Sequence, residues 1–207
     1  MSEADLRKWD ARYRAGEYAE RRHPTALLAR SIDDLPRGAA LDVACGAGRN
    51  ALFLAGAGFA VDAVDISSAG LERLEADAVA QGLEIRTIEA DLENGLPSAP
   101  SLKDRYELII VVRYVNLPLF EPLIGRLADG GVLISEQHLQ TTADVVGPRN
   151  PDYRLAPNAL LDSVKQLRVH YYREGFVVDP DGRRAALAQI VASRGDTVLL
   201  NDRNADG

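Results

Sequence analysis

Apolar positions along this chain keep two rhythms. Short aliphatic runs of strand length at residues 39–44, 60–64, 85–89, 106–112 and 132–137 alternate with longer stretches whose apolar residues recur at helical spacing. That alternation predicts an α/β chain with a parallel sheet and crossover helices. The helices fall over 3–15, 25–32, 48–57, 67–81 and 117–128. Pro24 suits the first turn of the second, Gly58 stops the third, and Ser67 or Ser68 caps the fourth. Leu108–Val112 is apolar without alternation, as a strand covered on both faces should be.

Residues 139–156 lose all periodicity, and a loop that long reads as lid-like. A helix over 160–166 follows. Strands at 167–172 and 185–194 flank Asp179-Pro180-Asp181-Gly182, a turn with Pro at i+1 and Gly at i+3. The chain therefore closes on an antiparallel hairpin over about 167–194. No shift in composition marks a boundary, so a single domain over 1–207 is expected.

Composition narrows the class. The chain has 207 residues, 46% hydrophobic and 27% charged, as in a globular enzyme. Cys45 stands alone, which rules out an intrachain disulfide and points to a reducing compartment. Met1–Tyr18 is charged and lacks the apolar stretch of a signal peptide, so a cytoplasmic location is expected. The run 108–112 is far too short to span a bilayer, and no membrane partner is expected. A formal charge of −7 argues against a nucleic-acid partner, and Arg21–Arg22 and Arg183–Arg184 read as solvated faces. His23, His138 and His170 lie far apart, so no metal site is expected. Oligomeric state is not readable.

The chemistry concentrates in residues 41–92. Gly46-x-Gly48-x-x-Ala51 follows the first strand and opens a helix, where a bare backbone lets a ligand approach the helix N-terminus. Asp65, 17 residues after Gly48, ends the second strand, where a carboxylate can accept from ribose hydroxyls. Both features suit a dinucleotide as well. Asp42, four residues before Gly46, separates the readings: a carboxylate there repels a pyrophosphate but suits a cofactor carrying a sulfonium and an ammonium. Asp91, ending the third strand, can accept from an adenine amino group. Three carboxylates at successive strand ends converge on the crevice where open α/β sheets bind ligands.

The segment Asp42-Val43-Ala44-Cys45-Gly46-Ala47-Gly48-Arg49-Asn50 resembles the first motif, D-x-G-C-G-x-G, of the class I S-adenosylmethionine (SAM)-dependent methyltransferases. Within that family it is most similar to the branch of the tellurite-resistance and thiopurine methyltransferases. WDARY at 9–13 and DGGVLISE at 129–136 share the similarity, which covers about residues 5–195. The resemblance implies a Rossmann-like, mostly parallel seven-stranded sheet with the last strand antiparallel and helices on both faces. It also implies SAM as cofactor. By it, Gly46 and Gly48 shape the methionine pocket with Asp42 behind them, Asp65 holds the ribose, Asp91 and Leu92 meet the adenine, and Ile66 lies on its face. The N-terminal helix, with Trp9 and Tyr13, would cover the cofactor, with Tyr13 near the methionine end. Ala44, Asn50 and Val112 complete the set, and Ala44 stands where the family often has glycine.

Methyl transfer is a displacement in line with the departing sulfur, and holding the reactants together can supply much of the acceleration. A general base is needed only for an acceptor still protonated at neutral pH. Arg113, Tyr114 and His138 are the catalytic candidates. His138 can act as base or simply hydrogen-bond Glu136. Asn116, Glu136, Arg149, Asn150 and Tyr153 are candidates for the acceptor, the last three from the long loop, where an anionic or polar group can bind. Cys45 reads as a compact residue of the glycine turn, not a nucleophile. Val112-Arg113-Tyr114-Val115 replaces the Asn-Pro-Pro-Tyr-type segment of many amino-group methylating enzymes, which favours a small-molecule acceptor. An NAD(P)-linked oxidoreductase and a SAM-binding protein without turnover remain as alternatives.

Overall fold

Successive side chains of β4 (Tyr106–Val112) enter two separate cores, which is why that stretch is apolar without alternation. Ile109 and Val111 join Leu41, Val43, Leu133 and Phe120 on one face; Leu108 and Ile110 join Ala40, Ala63, Leu54 and Leu74 on the other. The computed structural model describes residues 3–17, 20–97 and 101–195.

Around β4 lie β1 (Ala39–Val43), β2 (Ala60–Asp65), β3 (Ile85–Glu89), β5 (Leu127–His138), β6 (Arg168–Val178) and β7 (Arg184–Ser193). They form one seven-stranded sheet in the order β3-β2-β1-β4-β5-β7-β6. The first five strands pair in parallel, and β7 runs antiparallel between β5 and β6. This is the Rossmann-like sheet implied by the resemblance. The inserted antiparallel strand separates it from the 3-2-1-4-5-6 order of dinucleotide-binding folds, which removes the oxidoreductase's structural support.

Six α-helices accompany the strands among the described residues: α1 (Glu3–Arg14), α2 (Ala26–Ser31), α3 (Arg49–Gly56), α4 (Ser68–Ala80), α5 (Phe120–Gly125) and α6 (Ala159–Asp162). Ser67 caps α4 by accepting the Gly70 amide at 3.1 Å. Pro24 lies before the N-cap of α2, Thr25, rather than inside its first turn.

Two expectations fail locally. The helix expected over 117–128 is a 3₁₀ turn, Leu117–Leu119, followed by the short α5, and β5 begins at Leu127, well before residue 132. The cause is Gly130–Gly131: Gly130 is left-handed, and a Cβ on Gly131 would run into the carbonyls of Ala128 and Tyr106. That close approach lets Leu127 pair with Tyr106 through an irregular register. The helix expected over 160–166 is a single turn followed by non-helical turns.

A buried polar knot ties β2, β3 and β4. Asp62, with no exposed surface, accepts two bonds from Arg86 (2.9 and 2.6 Å), one from Lys103 (3.0 Å) and one from the Tyr106 hydroxyl (2.6 Å). Its partners hold the carboxyl below the usual range against the opposing effect of burial.

Candidate active site

A cleft opens at the C-terminal ends of β1, β2, β4 and β5, lined among others by Ala44, Asp65, Ile66, Val112 and His138. Its floor is the turn after β1, where Ala44, Gly46 and Gly48 all have positive φ (56°, 57° and 77°). The turn is closed by Gly48 N donating to Cys45 O and Cys45 N to Val64 O, both at 3.0 Å. Gly46 and Gly48 are also sterically required. A Cβ on the first would overlap the Tyr13 phenol, and one on the second would overlap Leu74.

Asp65 holds this turn from the side. Its Oδ2 accepts the Gly46 amide at 2.8 Å and its Oδ1 the Ser67 amide at 2.9 Å. Burial raises its pKa, opposed by the amides of Ser67, Gly46 and Ile66. These amides use up to three of the carboxylate's four acceptor sites, which leaves room for a further donor from the cleft.

Asp42 lies beneath the turn, 1% exposed. It accepts the Ala51 amide of α3, while its Oδ2 has no partner. Burial, with Asp65 acting in the same direction, pushes its pKa up to about 8 against the pull of Arg49 and the Ala51 amide. The group is protonated at neutral pH, and a cation entering the cleft would favour its ionised form. An orphaned carboxyl oxygen under a bare glycine turn, whose ionisation positive charge would favour, fits a cationic nucleoside cofactor.

α1 forms one wall. Asp10 accepts the Ser67 hydroxyl, docking α1 on the start of α4. Trp9 and Tyr13 stack with ring centroids 6.2 Å apart and both line the cleft. Arg12 covers the Trp9 ring at 5.2 Å. Further along, Ile66, Ala90 and Leu92 present apolar surface.

Asp91 does not join them. It lies outside the lining and caps the 3₁₀ turn Leu92–Asn94, its oxygens accepting from the Glu93 amide (3.0 Å) and the Asn94 side chain (2.8 Å). Asn116 is also outside the lining, donating to Leu92 O and the Tyr114 hydroxyl, both of residues that do line the cleft. Tyr114 lines the cleft and donates to Glu93 at 3.1 Å; burial raises its phenol well above the usual range.

At the opposite end stands Arg113, left-handed at φ 60°. Its amide donates to Glu136 O at 2.6 Å, and its guanidinium bridges Glu136 Oε1 (3.3 Å) and Asp179. Glu136 sits behind the wall, 1% exposed, its Oε2 accepting from the Thr25 hydroxyl and Gln189, each at 2.7 Å. Its contacts orient Arg113 and leave nothing facing the cleft. Thr25 N donates in turn to Asn50 at 2.9 Å, which couples α2, α3 and β5 at this corner.

His138 lines the cleft but makes no bond to Glu136; its Nδ1 is buried without a partner. Burial, then Arg113 and Arg154, lower its pKa to about 3, so the imidazole is neutral and a poor base at pH 7. Cys45 lines the cleft too, and burial beside Asp65 and Asp42 pushes its thiol up, against a nucleophilic role.

The 139–156 loop is pinned rather than open. Leu139 bridges Leu155, Val146 bridges Ala185, and Arg154 donates to Pro148 O (2.7 Å) and Leu139 O (2.9 Å). Pinned in this way, Arg149, Asn150 and Tyr153 line the cleft.

Sequence reasoning missed six arginines that also line it: Arg21, Arg22, Arg37, Arg49, Arg73 and Arg183. Arg21–Arg22 and Arg183 had read as solvated surface. They come from a segment before α2 and from the turn after β6, and no local pattern shows that the hairpin brings these together. Arg49 was visible beside the glycine turn but had no apparent partner.

Residues 40–129 match a family model described as a methyltransferase domain. No curated protein sequence matches the chain. Among solved structures, TehB from Haemophilus influenzae is similar at 21% identity and a TM-score of 0.67, over 87% of this chain and 66% of that one. A SAM-dependent methyltransferase from Methanosarcina mazei is similar at 14% identity and a TM-score of 0.64, over 86% and 99% of the two chains. Magnesium protoporphyrin IX methyltransferase from Synechocystis PCC 6803, solved with bound SAM, gives 18%, 0.59, 90% and 82% in the same terms.

Proposed function

We propose that this chain, which carries a methyltransferase domain over residues 40–129 and the fold of the class I SAM-dependent methyltransferases, methylates a small-molecule acceptor. One observation carries the reading: the orphaned, fully buried Asp42 oxygen beneath the glycine turn, with Asp65 at the adjoining strand end. SAM supplies a methyl carbon on a sulfonium, to which an acceptor's electron pair bonds as the carbon–sulfur bond breaks, leaving neutral S-adenosylhomocysteine.

The chain's own part is to bind and orient. Gly46 and Gly48 let the turn at the methionine end pack against Tyr13 and Leu74, and Asp42 favours positive charge there. Asp65 keeps acceptor room for a ribose hydroxyl while bracing the turn. Ile66, Ala90 and Leu92 offer apolar surface to the adenine; Trp9 and Tyr13 exclude water from the other side. Asp91 is better assigned to the 3₁₀ cap than to the adenine.

Arg113, Tyr114, His138 and the 146–150 segment surround the acceptor end. With His138 neutral, no strong base stands there among the described residues, which suits an acceptor already nucleophilic at neutral pH. His138 then serves as a hydrogen-bonding group that orients the acceptor.

The test compares thermal unfolding with SAM, S-adenosylhomocysteine, NAD and NADP, followed by S-adenosylhomocysteine production against an acceptor panel. At 100 times the dissociation constant a ligand stabilises by about 2.7 kcal/mol, roughly 5–10 °C here. A shift with the two adenosyl ligands alone, then turnover, supports the proposal. A shift with NAD or NADP alone overturns it, and binding without turnover on any acceptor leaves a SAM-binding protein.

A further inference from the structure

Among the arginines that line the cleft, in a chain of net charge −7, are Arg21, Arg22, Arg49, Arg113, Arg149 and Arg183. The carboxylates that act on them include Glu136, Asp179, Asp181 and, against Arg49, Asp42, and none of the four lines the cleft. Glu136 and Asp179 hold Arg113 from behind; Asp181 pairs with Arg21 at 3.6 Å and with Arg183. Among the described residues, Arg22, Arg49 and Arg149 have no carboxylate within salt-bridge reach. The wall therefore presents surplus positive charge inward, opposite to the charge of the whole chain.

Arg49 makes the case specific. It is half-buried at the first residue of α3, where the helix end is already positive. Its guanidinium has one hydrogen bond, to His23 O at 3.3 Å. Burial lowers its pKa, as does repulsion from Arg113 and Arg21, against the distant pull of Glu136 and Asp179. A half-buried cation held among other cations gains stability from an incoming anion. His138, 7% exposed with its Nδ1 unpartnered, adds a neutral hydrogen-bonding group to the same wall.

Resting on the methyltransferase reading, we propose that the acceptor is anionic, its carboxylate or oxyanion group held by the cationic wall of Arg49, Arg113 and Arg149. Guanidiniums recognise both groups through paired N–H donors, and each bond is charge-assisted. The anion steers the acceptor into the cleft and anchors it there, while the acceptor's nucleophilic atom faces the methionine end.

Ligand-observed NMR titrations of the full chain test this, using benzoate, its neutral isostere benzamide, and inorganic phosphate, with and without S-adenosylhomocysteine. Benzoate or phosphate should bind at least about tenfold more tightly than benzamide, and rising salt should weaken the anions alone. Whichever anion binds better assigns the group as carboxylate or tetrahedral oxyanion. Arg149→Ala, at an exposed position, and Arg49→Gln should each lower anion affinity about fivefold or more, with melting temperature and benzamide binding unchanged.

Equal binding of anion and isostere, or no anion binding, overturns the proposal. So does an Arg49→Gln chain that loses S-adenosylhomocysteine but keeps its anion affinity, because that cation would then serve the cofactor. Failure of the wild-type chain to bind S-adenosylhomocysteine removes the methyltransferase reading instead, which keeps the two failures apart.

Discussion

Asp65 Oδ2 accepts the Gly46 amide across the cleft floor at 2.8 Å, so the carboxylate that ends β2 is also a strut of the turn that ends β1. One residue thus couples ligand binding to the shape of the binding loop. Asp65→Ala frees two amides, Gly46 and Ser67, and leaves one side of the turn unsupported. The variant should lose about 1–3 kcal/mol of stability as well as S-adenosylhomocysteine affinity. Urea unfolding and calorimetry read the two separately. A loss of affinity without a loss of stability would mean that the strut carries no load.

Ala44 adopts φ 56° in the turn, a conformation that costs an L-residue roughly 1–2 kcal/mol. Its position among two glycines of the same handedness makes it the strained member of the loop. Ala44→Gly should raise stability by about 0.5–1 kcal/mol, since the added freedom of glycine in the unfolded chain offsets part of the relief. That is roughly 1–4 °C in melting temperature, with cofactor affinity retained. A lower melting temperature would show that the methyl group packs better than its backbone suffers.

Much of this architecture was readable from the chain, and the reasons are local. β3 and β4 have the bounds expected, because turn residues or polar segments flank both runs. The glycine turn, Asp42 and Asp65 were visible because the chemistry needs them at fixed spacing around one strand–turn–helix. What local pattern missed depends on distant contacts. Gly130–Gly131 reads as a helix stop, yet its approach to the Tyr106 carbonyl makes it strand. Asp91 reads as a ligand of the cleft, and that it also caps the 3₁₀ turn through the Glu93 amide and Asn94 is not visible in its spacing. Arg183 reads as surface until the β6–β7 hairpin brings it to the cleft beside Arg21.

The Asp42 pKa, about 8 when folded against 3.8 for the free side chain, has a definite sign. Between those values the folded chain holds a proton that the unfolded chain releases, so this group makes stability fall as pH rises. His138, at about 3 when folded against 6.5, does the reverse: stability falls as pH drops below about 6.5. The two oppose each other in mild acid, and of the pair only Asp42 acts from pH 6.5 to 8. There stability should decline with pH, by at most about 1.4 kcal/mol per unit from this group, and Asp42→Asn should remove that slope. The ratio of SAM to S-adenosylhomocysteine affinity should also rise with pH through about 8, since only the former carries the sulfonium that ionised Asp42 attracts. A ratio flat with pH in the wild type would take Asp42 out of the cofactor's electrostatics.

Arg113, 12% exposed, is the cation between two carboxylates that are themselves at most 9% exposed. Arg113→Ala therefore does more than remove a cleft residue: it leaves Glu136 Oε1 and Asp179 in a dry corner without their counter-charge. Breaking a buried pair from one side costs about 3–5 kcal/mol, and this variant should fall near the lower end because Thr25 and Gln189 still satisfy Glu136 Oε2. Neutralising the abandoned partner should recover part of the loss, so Arg113→Ala with Glu136→Gln should be more stable than Arg113→Ala alone. A double-mutant cycle by urea unfolding measures that coupling, expected at about 1–3 kcal/mol. Strict additivity would mean that Asp179 alone holds the guanidinium, and that the corner where α2, α3 and β5 meet is fixed without the Arg113–Glu136 bond.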